Sequence, residues 1–292
     1  MNIGFIGLGS LGTPIALNIA ASGHSLYVFN RTKSKTIPLA EKGAVVCDDI
    51  ATLAAQCDVV FTIVSDDAAL KEISSVENGL AGHLKRDSIH VSMSTILPQT
   101  AAEIAALHRE HKQHYLAAPV FGRPEAAVLK KLNFVVSGEN EIRTSVEPLL
   151  KDAGAAGVWY FGDTITAANT IKLCGNFLIA GAIQAIGESI SLATESGVDA
   201  RKMWDMFCQT LFNAPVYQNY SRIILDKKFE PAAFTARLGL KDLNLVLQQA
   251  TTVHQPMPLA RLVQTNMKQM VDGGNDQIDW SAVSTAVGKN IA

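Results

Sequence analysis

No C-x-x-C pair and no cluster of cysteine with histidine occurs in this sequence, whose 4 cysteines (Cys47, Cys57, Cys174 and Cys208) are scattered along 292 residues. That spacing argues against a disulfide framework or a zinc site and for buried thiols in a reducing compartment. An excess of one charge is also missing: 25 basic and 27 acidic residues leave a net charge of −2, with lysines and arginines dispersed among the acids. Without a basic stripe to neutralise a run of phosphates, nucleic acid is not an expected partner. Long hydrophobic runs are absent as well. The opening MNIGFIGLGSLG has no charged leader and is interrupted by Gly4, Gly7, Gly9 and Gly12, unlike a signal peptide. The longest other apolar stretch, 178–186, is broken by Gly181 and Gln184 and is too short to cross a bilayer. The expectation is a cytoplasmic protein with no membrane partner, and no internal repeat or low-complexity tract suggests an array.

What is present is apolar content of 48%, ample for two cores in a chain too long for one ordinary core. The runs NIGFIG, SLYVFN, DVVFTIV, SIHVSM, HYLAAPV, NFVVSG and VWYF are β-rich and alternate with helical Ala/Leu/Glu segments. Such alternation implies a parallel sheet with helices on its faces. After Asp163 the β-rich runs stop. Helices are expected at 164–195, 199–211, 214–226, 236–254, 258–271 and 279–288, with a loop at DGGND, 272–276. The predicted organisation is a doubly wound α/β domain over 1–162, followed by an all-helical domain over 163–292.

Gly7, Gly9 and Gly12 form G-x-G-x-x-G between the first predicted strand and the helical pattern TPIALNIAASG. The first glycine permits a tight turn, the second lets backbone approach a pyrophosphate, and the third lets helix and strand pack closely. The helix N-terminus then offers free N–H groups to the phosphates. The loop Gly7-Leu8-Gly9-Ser10-Leu11-Gly12 is thus a candidate dinucleotide-binding element of a Rossmann-type domain. The residue that selects the dinucleotide is expected at the end of the second strand, where this chain has Asn30-Arg31-Thr32. An aspartate there would accept hydrogen bonds from the ribose hydroxyls of NAD, whereas an arginine flanked by hydrogen-bonding side chains suits the 2′-phosphate of NADP. NADP is favoured over NAD.

Two further strand ends carry polar residues. Ser94, Thr95 and Pro98 in SMSTILPQT follow a strand, and so should lie at the sheet edge that binds ligands, although serine and threonine before a helix are also ordinary caps. In APVFGRPEAA, Gly122 and Pro124 are consistent with turn chemistry alone, with the position beyond a strand end leaving a ligand role for Gly122 and Arg123 open. A separate question is set by TIKLCGNFLIAGAIQAI, 170–186. It reads as a buried helix, yet holds Lys172 and Asn176 one turn apart, on one face. A solvated helix end would explain the lysine without any chemistry.

Taken together, these motifs resemble the β-hydroxyacid dehydrogenase family, which includes 3-hydroxyisobutyrate dehydrogenase and relatives of 6-phosphogluconate dehydrogenase. The resemblance covers nearly the whole chain. GFIGLGSLGTPIALNIAASGH with VFNRTKSK resembles the family's cofactor motif, and STILPQT matches the segment whose threonine, here Thr95, lies by the cofactor. In IKLCGN the family's catalytic lysine falls on Lys172 and its substrate-binding asparagine on Asn176. LKDLNLVLQQA matches the KDL segment, which places a cofactor-contacting lysine on Lys241. The chain departs from the family pattern at Ser92, where D-x-S-T begins with aspartate, at Phe121-Gly122-Arg123 in place of a Ser-Gly-Gly substrate loop, and at Gly175-Asn176 in place of two asparagines.

The resemblance implies an NADP-dependent oxidoreductase that moves a hydride between nicotinamide and a small β-hydroxy acid or its aldehyde or keto form. Lys172 would exchange the hydroxyl proton, Asn176 would orient the substrate, and Ser94, Gly122 and Arg123 would help bind it. It also implies that no metal is needed and that a homodimer or homotetramer forms through the helical domain. An imine or carbonyl reductase of the same fold remains open, as does a non-catalytic NADP-binding regulatory module, against which Lys172, Asn176 and Lys241 count.

Overall fold

The computed structural model describes residues 1–288 and divides the chain into two compact units, Met1–Lys172 and Leu173–Ala292. The first opens with β1 (Asn2–Ile6), buried at every position after Asn2, as expected of a central parallel strand covered on both faces. There follow α1 (Gly12–Ala20), β2 (Ser25–Phe29), α2 (Ile37–Ala40), β3 (Val45–Val46), α3 (Ile50–Gln56), β4 (Val59–Thr62), α4 (Asp67–Ser74), α5 (Leu80–His83), β5 (Ile89–Ser92), α6 (Pro98–Glu110) and β6 (His114–Ala117). The strands form one parallel sheet in the order β3-β2-β1-β4-β5-β6. Strand order reverses between β1 and β4. The chain leaves these two strands in opposite directions, which opens the crevice at their C-terminal ends where such sheets bind ligands.

The unit continues with β7 (Val120–Phe121), α7 (Pro124–Val128), β8 (Leu132–Val136), α8 (Asn140–Asp152) and β9 (Ala155–Tyr160). These strands make a second sheet, with β7 antiparallel to β8 and β8 parallel to β9. HYLAAPV, read from the sequence as one strand, is therefore split. Pro119 has no N–H to give a ladder, so β6 ends at Ala117 and the chain turns back along β8. The sequence reading also missed β3, a two-residue edge strand whose Val45 and Val46 are exposed. Side chains alternate across the main sheet: Phe5 and Phe61 enter one apolar cluster with Ile15, Ile19 and Phe134, while Ile6 and Val60 enter another with Leu53, Leu70 and Ile104. That period of two is the signature of a strand covered on both sides.

The long helix α9 (Ala167–Glu195) leads into the second unit, which holds α10 (Ala200–Gln209), α11 (Pro215–Leu225), α12 (Ala236–Thr252), α13 (Pro258–Asp272) and a 3-10 run from Trp280 to Gly288. Ala180, Ile183 and Ile186 of α9 pack with Trp204, Tyr220, Leu243, Val263, Met267 and Trp280. The final run was expected to be α-helical. Instead, the Asp279 carboxylate accepts from the Ser281 N–H at 3.1 Å and from its hydroxyl at 2.6 Å, a local side-chain to backbone closure that competes with α-helix. The apolar stretch judged too short to cross a bilayer belongs to a helix of 29 residues with an 18-residue window of mean hydropathy 1.4, long and apolar enough to do so by length and composition alone. Asn176 and Gln184 are buried on it beside Ala180, Ile183 and Ile186, while Leu178 and Leu192 are exposed.

Candidate functional site

The glycine loop has the mechanics its spacing predicts. Gly7 sits at φ +102°, and a Cβ there would lie 2.1 Å from the carbonyl oxygen of Ile63. A Cβ on Gly12 would meet the Gly7 carbonyl oxygen at 2.0 Å, so the start of α1 packs directly on the turn. Around Gly9, by contrast, nothing stands within 4 Å of where a Cβ would be. The first and third glycines are required by the protein's own packing, whereas the second leaves open space over exposed backbone. No side chain caps α1 and no acid stands in its first turn, which leaves its N–H groups to face an anion. An open cradle at a helix N-terminus fits a dinucleotide pyrophosphate.

Leu8 and Asn30 are bonded to each other. The Leu8 N–H donates to Asn30 Oδ1 at 2.9 Å, and Asn30 Nδ2 donates to the Thr32 carbonyl at 2.9 Å. Asn30 thus braces the glycine loop against the end of β2. Arg31 and Thr32 beside it are exposed. Ser10 is exposed and Leu11 half-buried at the foot of α1. Ser94 is almost fully buried, and its hydroxyl accepts from the Val64 N–H at 2.9 Å, tying the loops that leave β4 and β5. Thr95, next to it, is half-buried. Gly7, Asn30, Ser94 and Thr95 therefore gather at the C-terminal edge of one sheet.

Phe121, Gly122 and Arg123 lie at the end of β7. Gly122 has φ +145°, a backbone state that favours glycine, and the Arg123 guanidinium faces Glu125 with Nε at 3.9 Å from Oε2. Lys172 belongs to the same unit. It is 8% exposed, and its Nζ lies 4.1 Å from the centroid of the Phe121 ring. One turn before it on α9, Asn169 is also buried, with an Oδ1 that has no hydrogen-bond partner among the described residues. The sequence reading did not single out Asn169. Its place at i, i+3 from Lys172 was the available signal.

The helical unit holds the remaining candidates. Asn176 is buried and donates through Nδ2 to Asp242 Oδ2 at 2.5 Å, while Lys241 Nζ lies 2.7 Å from Asp242 Oδ1. A carboxylate can only accept, so it draws the amide nitrogen and turns Asn176 Oδ1 away. Asp242, 2% exposed, is thus a common anchor for two of the expected site residues. In the sequence it is marked only as the residue that follows Lys241 in the KDL segment.

Residues 2–165 match the family model of the NAD binding domain of 6-phosphogluconate dehydrogenase, and residues 166–287 match that of the NAD-binding domain of NADP-dependent 3-hydroxyisobutyrate dehydrogenase. The uncharacterised oxidoreductase YfjR of Bacillus subtilis is 38% identical over 97% of this chain and 98% of its own. The 2-hydroxy-3-oxopropionate reductase of Escherichia coli is 28% identical over 98% of this chain and 97% of its own. Among solved structures, Psf3 in complex with NADP+ and 2-OPP superposes with a TM-score of 0.89 at 25% identity, covering 98% of this chain and 100% of that one.

Proposed function

The chain belongs to the β-hydroxyacid dehydrogenase family, and from that membership we propose that it interconverts a small β-hydroxy acid and its aldehyde or keto form with NADP as cofactor. The observation that carries the proposal is the burial of Lys172, a lysine 8% exposed on a mostly apolar helix, one turn from Asn176. A solvated helix-end lysine would be exposed.

In this reading Gly7, Leu8, Gly9, Ser10, Leu11 and Gly12 hold the pyrophosphate, while Arg31, with Asn30 and Thr32, holds the 2′-phosphate. Thr95 and Lys241 contact the remainder of the cofactor. When bound, the nicotinamide supplies a hydride to a carbonyl carbon or accepts one from an alcohol. Lys172 handles the proton: as a neutral amine it takes the hydroxyl proton during oxidation, and as an ammonium it gives one to the carbonyl oxygen during reduction. Asn176, with its Oδ1 turned from Asp242, orients the substrate hydroxyl. Gly122 and Ser94 flank the substrate, and Arg123 grips its carboxylate. The reading includes a cytoplasmic location, which the four free cysteines support, and a homodimer or homotetramer built through the helical unit.

The test is a panel of short hydroxy acids, semialdehydes and glyoxylate assayed by NADPH absorbance, followed by Lys172→Met on the best substrate. General acid–base catalysis contributes about a hundred- to ten-thousand-fold. A loss of kcat on that scale, with NADPH affinity and melting temperature retained, is the expected result. A kcat near wild type in that variant, with chemistry shown to be rate-limiting by a deuterated cofactor, would sink the mechanism.

A further inference from the structure

Lys172 and Phe121 meet inside the N-terminal unit, at the start of α9 and the end of β7. Phe121, Ile165, Ala168 and Ile171 all join one apolar cluster, so the end of β7 and the start of α9 are clamped by the same packing. The Ser137 hydroxyl, just beyond β8, accepts from the Ala168 N–H at 3.0 Å and donates to the Ile165 carbonyl at 2.8 Å. Strand β8 in turn pairs with β7, Phe121 lying opposite Asn133. Directly after the ring, Gly122 takes a turn in which a Cβ would stand 2.4 Å from Leu132 Cδ2. The ring is therefore fixed from its own strand, from the neighbouring strand and from the cluster beneath it.

An ammonium removed from water loses most of its hydration. The face of an aromatic ring returns part of that loss, because its negative quadrupole attracts a cation and has little to offer a neutral amine. With Nζ at 4.1 Å from the ring centroid, we infer that Phe121 is a positioning residue for Lys172: its ring face holds the ε-ammonium charged and aimed, which poises the enzyme for carbonyl reduction. The inference rests on the reading of Lys172 as the acid–base group. In the reductive step an N–H bond of Lys172 breaks and an O–H bond forms on the carbonyl oxygen, while the carbonyl carbon takes the hydride that the reduced cofactor supplies. The neutral amine left behind regains a proton from water. A phenyl ring can neither give nor take that proton, so Phe121 acts only through Lys172. This gives a physical purpose to an aromatic residue at a position where a Ser-Gly-Gly loop would place a hydroxyl.

The experiment replaces Phe121 by mono-, di- and trifluorinated phenylalanine, which keep the ring's shape while draining its π face, and separately by tyrosine and leucine. Reduction kinetics and NADPH affinity are measured for each. In the cofactor-free protein, the ε-methylene proton resonance of Lys172, assigned by its loss in Lys172→Met, is recorded as well. The expected result is a stepwise fall of reductive kcat reaching about tenfold at the trifluoro stage, with KM and NADPH affinity nearly constant. Tyrosine should restore most of the rate. The lysine resonance, shifted upfield by the ring face in wild type, should lose that ring-current shift in Phe121→Leu. A flat fluorine series, or an unshifted resonance in wild type, overturns the inference. If Lys172→Met itself keeps its kcat, the acid–base reading falls and takes this inference with it. A large loss in Lys172→Met beside a flat fluorine series removes Phe121 alone.

Discussion

At the scale of single residues, an exposed arginine and a buried pair of histidines behave in opposite ways. Arg31 is exposed and makes no ion pair among the described residues, so its guanidinium is free to take a 2′-phosphate with paired N–H bonds. Arg31→Ala should weaken NADPH binding by about tenfold or more while leaving NADH within about twofold. Fluorescence titration with both cofactors decides it, and equal losses for the two would remove Arg31 from cofactor selection. His90 and His108 are fully buried instead, and their hydrogen bonds run in one direction. Gln113 spends its amide N–H groups on the Ala81 and Leu84 carbonyls, so its oxygen accepts from His108 Nδ1 at 2.7 Å. His108 Nε2 must then accept from His90 Nδ1 at 2.9 Å, and His90 Nε2 from the Thr62 hydroxyl at 2.8 Å. Both rings are neutral in this chain of bonds.

Burial, reinforced by His108, pushes the His90 imidazole well below its ordinary value, and burial brings His108 down to about 4 despite its bond to Gln113. A folded-state value below the unfolded one means that the unfolded chain binds protons first as the pH falls. The stabilisation is therefore complete above about pH 6.5 and is lost progressively toward about pH 4. His108 alone should cost about 2 kcal/mol of stability between pH 7 and pH 5. Urea unfolding across that range measures the slope. In His108→Gln the slope should flatten, and an identical slope in both proteins would show that these rings do not govern acid stability.

At the scale of elements, the turn from β1 into α1 separates glycines that the fold needs from the one that a ligand needs. Gly12→Ala would drive a methyl group into the Gly7 carbonyl, an overpacking that costs roughly 1–3 kcal/mol or more. Gly9→Ala meets nothing in the protein, so its melting temperature should stay within a few degrees of wild type, the scale of about 1 kcal/mol. NADPH affinity should nevertheless fall by at least about tenfold, because the added methyl would stand where backbone approaches the pyrophosphate. Unchanged affinity in Gly9→Ala would show that the loop does not carry the phosphates. In the first turns of helix α9 the buried polar positions Asn169, Lys172 and Asn176 recur at i, i+3 and i+7, a stripe along one face of a helix whose other positions are mostly apolar.

At the scale of the molecule, each unit has cores of its own, two apolar clusters about the sheet and one among the helices. A ligand that binds only the folded state stabilises it by mass action, by about 2.7 kcal/mol at a hundred times its Kd. NADPH should therefore raise the thermal midpoint by several degrees and slow amide exchange in residues 2–12, where the glycine loop leaves β1. NADH at the same concentration should do less. Equal shifts with the two cofactors, or no added protection in that segment, would contradict the assignment of the loop.

Much of this protein was decided locally and so could be read in order along the chain. The G-x-G-x-x-G spacing, the alternation of strands with helices and the all-helical second half each depend on periodicity or turn chemistry within a few residues, and the sheet and the positive φ at Gly7 agree with them. Other features needed groups far apart in sequence. The division of HYLAAPV between two sheets depends on β8, which offers β7 a partner only after the chain has turned. The one-way hydrogen-bond chain from Thr62 to Gln113 joins residues of three different segments. Nothing in KDL says that Asp242 turns toward Asn176, 66 positions earlier, and nothing in VFGR says that Phe121 lies against Lys172. Spacing along a chain determines which backbone conformations are affordable, but the partner of a buried charge is decided by which surfaces close upon it, and that is a property of the tertiary structure alone.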